Sequence, residues 1–139
     1  MAAPKVNLPQ NYLKWLDSIL DGSFVNHNDR EWGITDRQDL LEPFELNEGD
    51  IAPYIEQARL YAEMIEDVTG ETTTVDDEDN EIPYSRIKKW LTIAEGDEDL
   101  LCVDPNDDYS VWIFAPNEGG YVEKVCDSID QFLEELEVV

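Results

Sequence analysis

The stretch Trp90-Leu91-Thr92-Ile93-Ala94-Glu95-Gly96-Asp97-Glu98-Asp99-Leu100-Leu101-Cys102-Val103-Asp104 decides the fold. Two short apolar runs, Trp90 to Ala94 and Leu100 to Val103, flank a Gly96-Asp97 break. Runs of this length between turn residues read as strands. Two more follow, Tyr109 to Phe114 and Tyr121 to Val125. Their separators are Pro105-Asn106-Asp107-Asp108 and Pro116-Asn117-Glu118-Gly119-Gly120, residues that set turns or tolerate positive φ. Connections this short join neighbouring strands antiparallel, so residues 90–126 are predicted to form a meander.

Outward from the meander the period changes. Ser128-Ile129-Asp130-Gln131 reads as a capping box, and Ile129, Phe132, Leu133 and Leu136 give one helical face. A closing helix over about 128–137 is therefore predicted to cover the sheet. On the N-terminal side, Leu8-Pro9 opens a helix carrying Tyr12, Leu13, Leu16, Ile19 and Leu20, which Asp21-Gly22 ends. Thr35-Asp36-Arg37-Gln38 reads as a second capping box ahead of a short helix. The longest helix is predicted from Ile51 to Val68, capped by Asp50, its stripe running Ile51, Tyr54, Ile55, Ala58, Tyr61, Ala62, Ile65 and Val68, with Gly70 as a left-handed exit. The expectation is one α+β domain over residues 1–139. A helical front (about 8–70) and a strand-rich back (about 90–126) together make a twisted antiparallel sheet packed with N-terminal, middle and C-terminal helices.

Composition narrows the function classes. The 139 residues carry 34 Asp+Glu against 9 Lys+Arg, a formal net charge of −25, with 42% hydrophobic residues. A chain of this size buries about 68–70% of its unfolded surface, enough for a core without staples. The longest apolar run, Val111 to Ala115, is far short of the roughly 20 residues of a membrane-spanning helix. Met1-Ala2-Ala3-Pro4-Lys5 offers no apolar core for an export signal, so a cytoplasmic location is expected. The charge disfavours nucleic acid and anionic membranes and favours a basic protein partner. Cys102 and Cys126 form no CxxC pair and neither neighbours a histidine in sequence, so free buried thiols are expected and no zinc motif is read.

No catalytic constellation emerges. An EF-hand loop needs glycine at its sixth position and glutamate at its twelfth. From Asp76 those positions hold Glu81 and Ile87, and from Asp104 they hold Tyr109 and Ala115. There is no nucleophile elbow and no glycine-rich phosphate loop. His27 lies in Asn26-His27-Asn28-Asp29, read as an exposed polar loop. The reading is therefore non-enzymatic, with no catalytic residue, cofactor or metal ligand assigned.

What stands out is the acid. Glu66 to Glu81 holds eight acidic residues without a cation, and Glu95 to Asp108 holds seven more. Such stretches serve solubility or steer a basic partner. The candidate partner-binding residues are Asp76, Asp77, Glu78, Asp79, Glu95, Asp97, Glu98 and Asp99. Trp112 joins them as a candidate aromatic anchor, with packing against a second layer as the alternative, because alternation turns it away from Val111 and Ile113.

Leu8-Pro9-Gln10-Asn11-Tyr12-Leu13 resembles the opening helix of the SUKH superfamily, the Smi/Knr-type cell-wall-regulator-like proteins. Glu31-Trp32-Gly33-Ile34 with Leu40-Leu41 is similar to that family's tryptophan strand and following helix. Leu91 to Asp97 resembles its characteristic turn, although Glu98-Asp99 replaces an extra glycine there. Val125-Cys126-Asp127-Ser128-Ile129-Asp130-Gln131-Phe132-Leu133 is similar to the closing helix, with Ile129 in place of the usual phenylalanine. The resemblance implies an α+β domain that acts by binding protein. The bacterial form it implies is an immunity protein that neutralises a toxin domain, in many cases a nuclease with a basic active site. The alternative it implies is a regulatory or scaffold module like the eukaryotic relatives.

Overall fold

The computed structural model describes residues 8–20 and 22–139. Asp21 and Met1 to Lys5, used above to end a helix and to test for an export signal, lie outside the described residues. In chain order the elements are α1 (Gln10–Ser18), β1 (Phe24–His27), β2 (Arg30–Ile34), β3 (Pro43–Glu45), β4 (Ile51–Pro53), α2 (Gln57–Thr69), β5 (Thr73–Val75), β6 (Glu81–Pro83), α3 (Tyr84–Ile87), β7 (Leu91–Gly96), β8 (Asp99–Asp104), β9 (Ser110–Ala115), β10 (Tyr121–Cys126), α4 (Ile129–Glu135) and β11 (Glu137–Val138). The predicted meander is β7 to β10, and the class is α+β. One seven-stranded sheet runs in the order β10-β9-β8-β7-β2-β1-β11, and β3-β4 and β5-β6 are separate two-stranded ribbons.

The front of the chain is less helical than its sequence suggests. The segment Asn26-His27-Asn28-Asp29 belongs to a hairpin, not a loop. Asn28 and Asp29 both take positive φ, 52° and 62°, the geometry of a tight two-residue turn. His27 consequently ends a strand and is buried, which corrects its reading as an exposed residue. The helix predicted from Ile51 begins instead at Gln57, after a 3-10 turn over Tyr54–Glu56. Pro53 explains the shift, because a proline drives the preceding residue out of the helical region. Ile51 to Pro53 pair with β3, and Asp50 caps nothing. Thr35 is not a cap either: its N–H joins the Ile93 carbonyl and extends the sheet, leaving only a 3-10 turn at Asp39–Leu41.

The closing helix follows its capping signal more closely. The Ser128 hydroxyl accepts from Gln131 N, while Gln131 Oε1 accepts from Asp127 N, one residue earlier than a standard reciprocal box. Gly70 leaves α2 at φ 72°, in the predicted left-handed exit.

Both faces of the sheet are buried at its centre. Leu101, Val103 and Val111 point to a core shared with Tyr12, Leu16, Trp32 and Phe132, under α1 and α4. Leu100, Cys102, Trp112 and Phe114 point the other way, against Ala58, Ala62 and Ile65 of α2 and Tyr84 and Ile87 of α3. This is why β8 and β9 read as continuous apolar runs rather than alternating ones. The sheet also curls. Flat, β10 and β1 would stand about 24 Å apart across five strand spacings. Yet Cys126 Sγ at the end of β10 lies 3.5 Å from His27 Nε2 at the end of β1.

Candidate functional site, an acidic cleft over Trp112

A cleft of about 600 Å³ opens between the β5–β6 ribbon, the β8–β9 turn and the end of β10. Asp76, Asp77, Glu78, Glu81, Asp107 and Asp127 line it, against two cations, Arg86 and Lys124. Trp112 forms part of its floor and is only 3% exposed, stacked on Trp90 with ring centroids 5.0 Å apart. It therefore packs in the second layer that alternation allowed, and does not protrude as an anchor. Its indole N–H donates to the Ser110 hydroxyl at 2.9 Å.

Both cations are taken up internally. Arg86 Nε donates to Asp104 Oδ2 at 2.7 Å, and Nη2 reaches Asp107 at 3.3 Å. Its guanidinium carbon sits 5.0 Å from the Trp112 ring centroid, with Lys124 Nζ at 6.0 Å. Lys124 meets Asp107 at 3.4 Å and Asp127 at 3.3 Å. Those two carboxylates outweigh the effect of partial burial and raise the ammonium pKa, so Lys124 stays charged. The Ser110 hydroxyl first, then Lys124 and Arg86, hold the Asp107 carboxyl below its ordinary range. Asp104, 1% exposed, is a buried carboxylate satisfied by Arg86 and by the Asn106 N–H. What the cleft presents outward is acid.

The predicted acidic residues divide sharply. Asp76 is folded inward at the ribbon tip, accepting from Glu78 N at 2.9 Å, Asn80 N at 2.8 Å and Asn80 Nδ2 at 3.1 Å. Withdrawal from water opposes its ionisation, but those bonds prevail and hold its pKa below the ordinary value. Asp76 shapes the turn, so that Asp77, Glu78 and Asp79 stand exposed, the first two lining the cleft. Glu95, Asp97, Glu98 and Asp99 lie elsewhere, around the β7–β8 turn. The β8–β9 turn, with Asp107, is at the other end of these six-residue strands, roughly 20 Å away. Glu95 accepts from the Tyr54 hydroxyl and Gln57, and Asp99 accepts from Arg30 Nη2 at 2.7 Å. At that tip Glu98 accepts one long bond, 3.5 Å, from Asn117 Nδ2, and among the described residues Asp97 is left without a side-chain partner. The two acidic runs are thus not one surface.

A second constellation was not legible in the sequence. His27 Nε2, Cys126 Sγ and Glu135 Oε1 converge at one end of the curled sheet, with separations of 3.0 Å (N to O), 3.5 Å (N to S) and 3.4 Å (S to O). Positions 27, 126 and 135 share no local spacing, so only the alternation of Val25 and His27 could have hinted that the histidine faces inward. Both cysteines are free and buried as expected. Burial pushes the Cys102 thiol up to about 12, and burial reinforced by Glu135 does the same for Cys126, so both are protonated at neutral pH.

The fold and its cleft define an α+β domain that carries an acid-rimmed depression. The chain belongs to the SMI1/KNR4 family (SUKH-1), whose family model matches residues 3–135. A protein-binding role fits that family. No curated protein and no solved structure matches the chain. Among the described residues, no helix is long and apolar enough to cross a membrane.

Proposed function

We propose that this protein is a non-enzymatic, cytoplasmic binding domain of the immunity type, which captures a basic toxin domain and occupies its active region. The observation that carries this reading is the cleft. Its acidic rim keeps a surplus, because Arg86 and Lys124 are taken up by Asp104, Asp107 and Asp127 and, among the described residues, leave Asp77, Glu78 and Glu81 without a cation. A net charge of −25 adds a long-range field that draws a basic partner in. A nuclease site, basic so as to hold phosphate, would meet in Asp77 and Glu78 a spaced pair of carboxylates on a rigid turn.

The test is affinity capture from the native host at low and high salt, with bound proteins identified by mass spectrometry. It is run on the wild type and on a variant carrying Asp77→Asn, Glu78→Gln and Asp79→Asn, with Asp76 kept because it builds the turn. A basic toxin-like domain retained at low salt, weakened by high salt and lost from the variant supports the proposal. Capture of housekeeping or envelope-synthesis proteins, equally by both forms, overturns it in favour of a scaffold.

A further inference from the structure

We propose that His27 Nε2, Cys126 Sγ and Glu135 Oε1 form a zinc site that clasps β10, one edge of the curled sheet, and α4 to β1, the strand next to the other edge. In a tetrahedral zinc site, bonds of about 2.0–2.3 Å to nitrogen, oxygen and sulfur place the ligand atoms about 3.3–3.6 Å from one another. The three atoms here already stand 3.0, 3.5 and 3.4 Å apart, within about 0.3 Å of one face of that tetrahedron. A borderline metal suits this mixture of imidazole, thiolate and carboxylate, whereas calcium and magnesium prefer oxygen alone.

The geometry separates a metal site from a catalytic dyad. A cysteine nucleophile uses one imidazole nitrogen while an acid orients the ring through the other. Here the thiol and the carboxylate both meet Nε2. Without the ion, the same atoms form a hydrogen-bonded triad: Nε2–H and the thiol both donate to Glu135 Oε1, and sulfur and nitrogen stand in simple contact.

The fold aims the groups at one another. A bulge between Lys124 and Cys126 shifts the β10 register, so Lys124 opposes Trp112 and Cys126 opposes Val111. Without it, Cys126 would oppose Ser110 and turn towards the other face of the sheet. The His27 ring packs on Phe132 at 4.8 Å between centroids, which fixes its plane. Gln131 Nε2 donates to Glu135 Oε2 at 3.2 Å, holding the carboxylate while leaving Oε1 free to coordinate. His27 is buried, and Glu135, with its side chain 43% exposed, opens the group to solvent on the carboxylate's side. Binding converts the Cys126 thiol to thiolate and releases its proton to solvent.

The surface carboxylates will bind divalent cations loosely, so the test reads the thiolate itself. Chelator-stripped full-length protein is titrated with cobalt(II) and then zinc. The expected result is a near-ultraviolet thiolate-to-cobalt charge-transfer band with the visible bands of tetrahedral cobalt, saturating at one ion per chain and bleached by zinc. Cys126→Ser should abolish the charge-transfer band, and His27→Gln should weaken binding by at least about a hundredfold. Cys102→Ser should change neither. Zinc at about a hundredfold over its Kd should raise Tm by roughly 10 °C. Absence of the band from wild-type protein at one equivalent overturns the proposal, whatever the variants do. So does a band that survives Cys126→Ser.

Discussion

The β5–β6 and β7–β8 hairpins are equally acidic in sequence and unlike in structure. At the first tip a single carboxylate, Asp76, accepts three hydrogen bonds and organises the turn, which frees its neighbours to face the cleft. At the second, Asp97 and Glu98 adopt φ of 51° and 70° with no glycine, and Arg30 ties down Asp99 and the Gly96 carbonyl. The lesson is that carboxylates in a run are not interchangeable. Some hold the backbone, some neutralise a cation, and only the remainder can meet a partner.

The largest stability effect should come from the cleft floor. Trp112→Ala removes the stack on Trp90 and the platform under Arg86 and Lys124, and should cost about 3–5 kcal/mol in chemical denaturation. A loss under about 1 kcal/mol would mean that Trp112 does not organise the cleft. Next comes Gly96→Ala at the other hairpin. Its added Cβ would lie 2.6 Å from the Glu31 carbonyl oxygen and 3.1 Å from the Trp32 ring, so a loss of about 1–3 kcal/mol is expected.

A smaller effect has the opposite sign. Left-handed backbone costs an ordinary residue about 1–2 kcal/mol, so Glu98→Gly should stabilise the protein by about 1 kcal/mol. Asp79→Gly, at φ 63° in the first hairpin, should gain less, because a short polar side chain tolerates that conformation. Equal gains in thermal melts would remove the distinction between the tips.

The smallest difference lies in acid. The folded pKa values of Asp76 and Asp107 are lowered, so they contribute stability above the unfolded carboxylate value of about 3.9. That contribution is lost as pH falls below about 4 through their folded values. Asp76→Ala should therefore flatten the acid limb of a stability–pH curve, and an acid limb identical to that of wild type would contradict this.

The meander was legible because each strand is a short apolar run closed by turn residues, and the closing helix because Ser128 and Gln131 sit at capping distance in sequence. The β1–β2 hairpin was hidden by its polarity: His27, Asn28, Asp29 and Arg30 look like a loop until the histidine is seen pointing inward. The ribbons β3–β4 and β5–β6 are three residues per strand, too short for periodicity to register. Acidic residues of the cleft could be nominated, but not sorted. Whether Asp76 faces a partner or its own backbone depends on Asn80, and whether Arg86 is free depends on Asp104, 18 positions away. The clasp of His27, Cys126 and Glu135 spans 108 positions, and no local pattern announces it.

The central claim is that the cleft end, not the β7–β8 end, meets a basic partner. Its most direct test is the association rate of the captured partner at low salt for two charge-neutralised variants. One carries Asp77→Asn, Glu78→Gln and Asp79→Asn, and the other Asp97→Asn and Glu98→Gln. The account predicts that the first slows association by about tenfold and flattens its salt dependence, while the second stays within about twofold of wild type. Equal slowing by both would reduce the acidic coat to a general field, and slowing by the second alone would place the binding surface at the opposite end of the sheet.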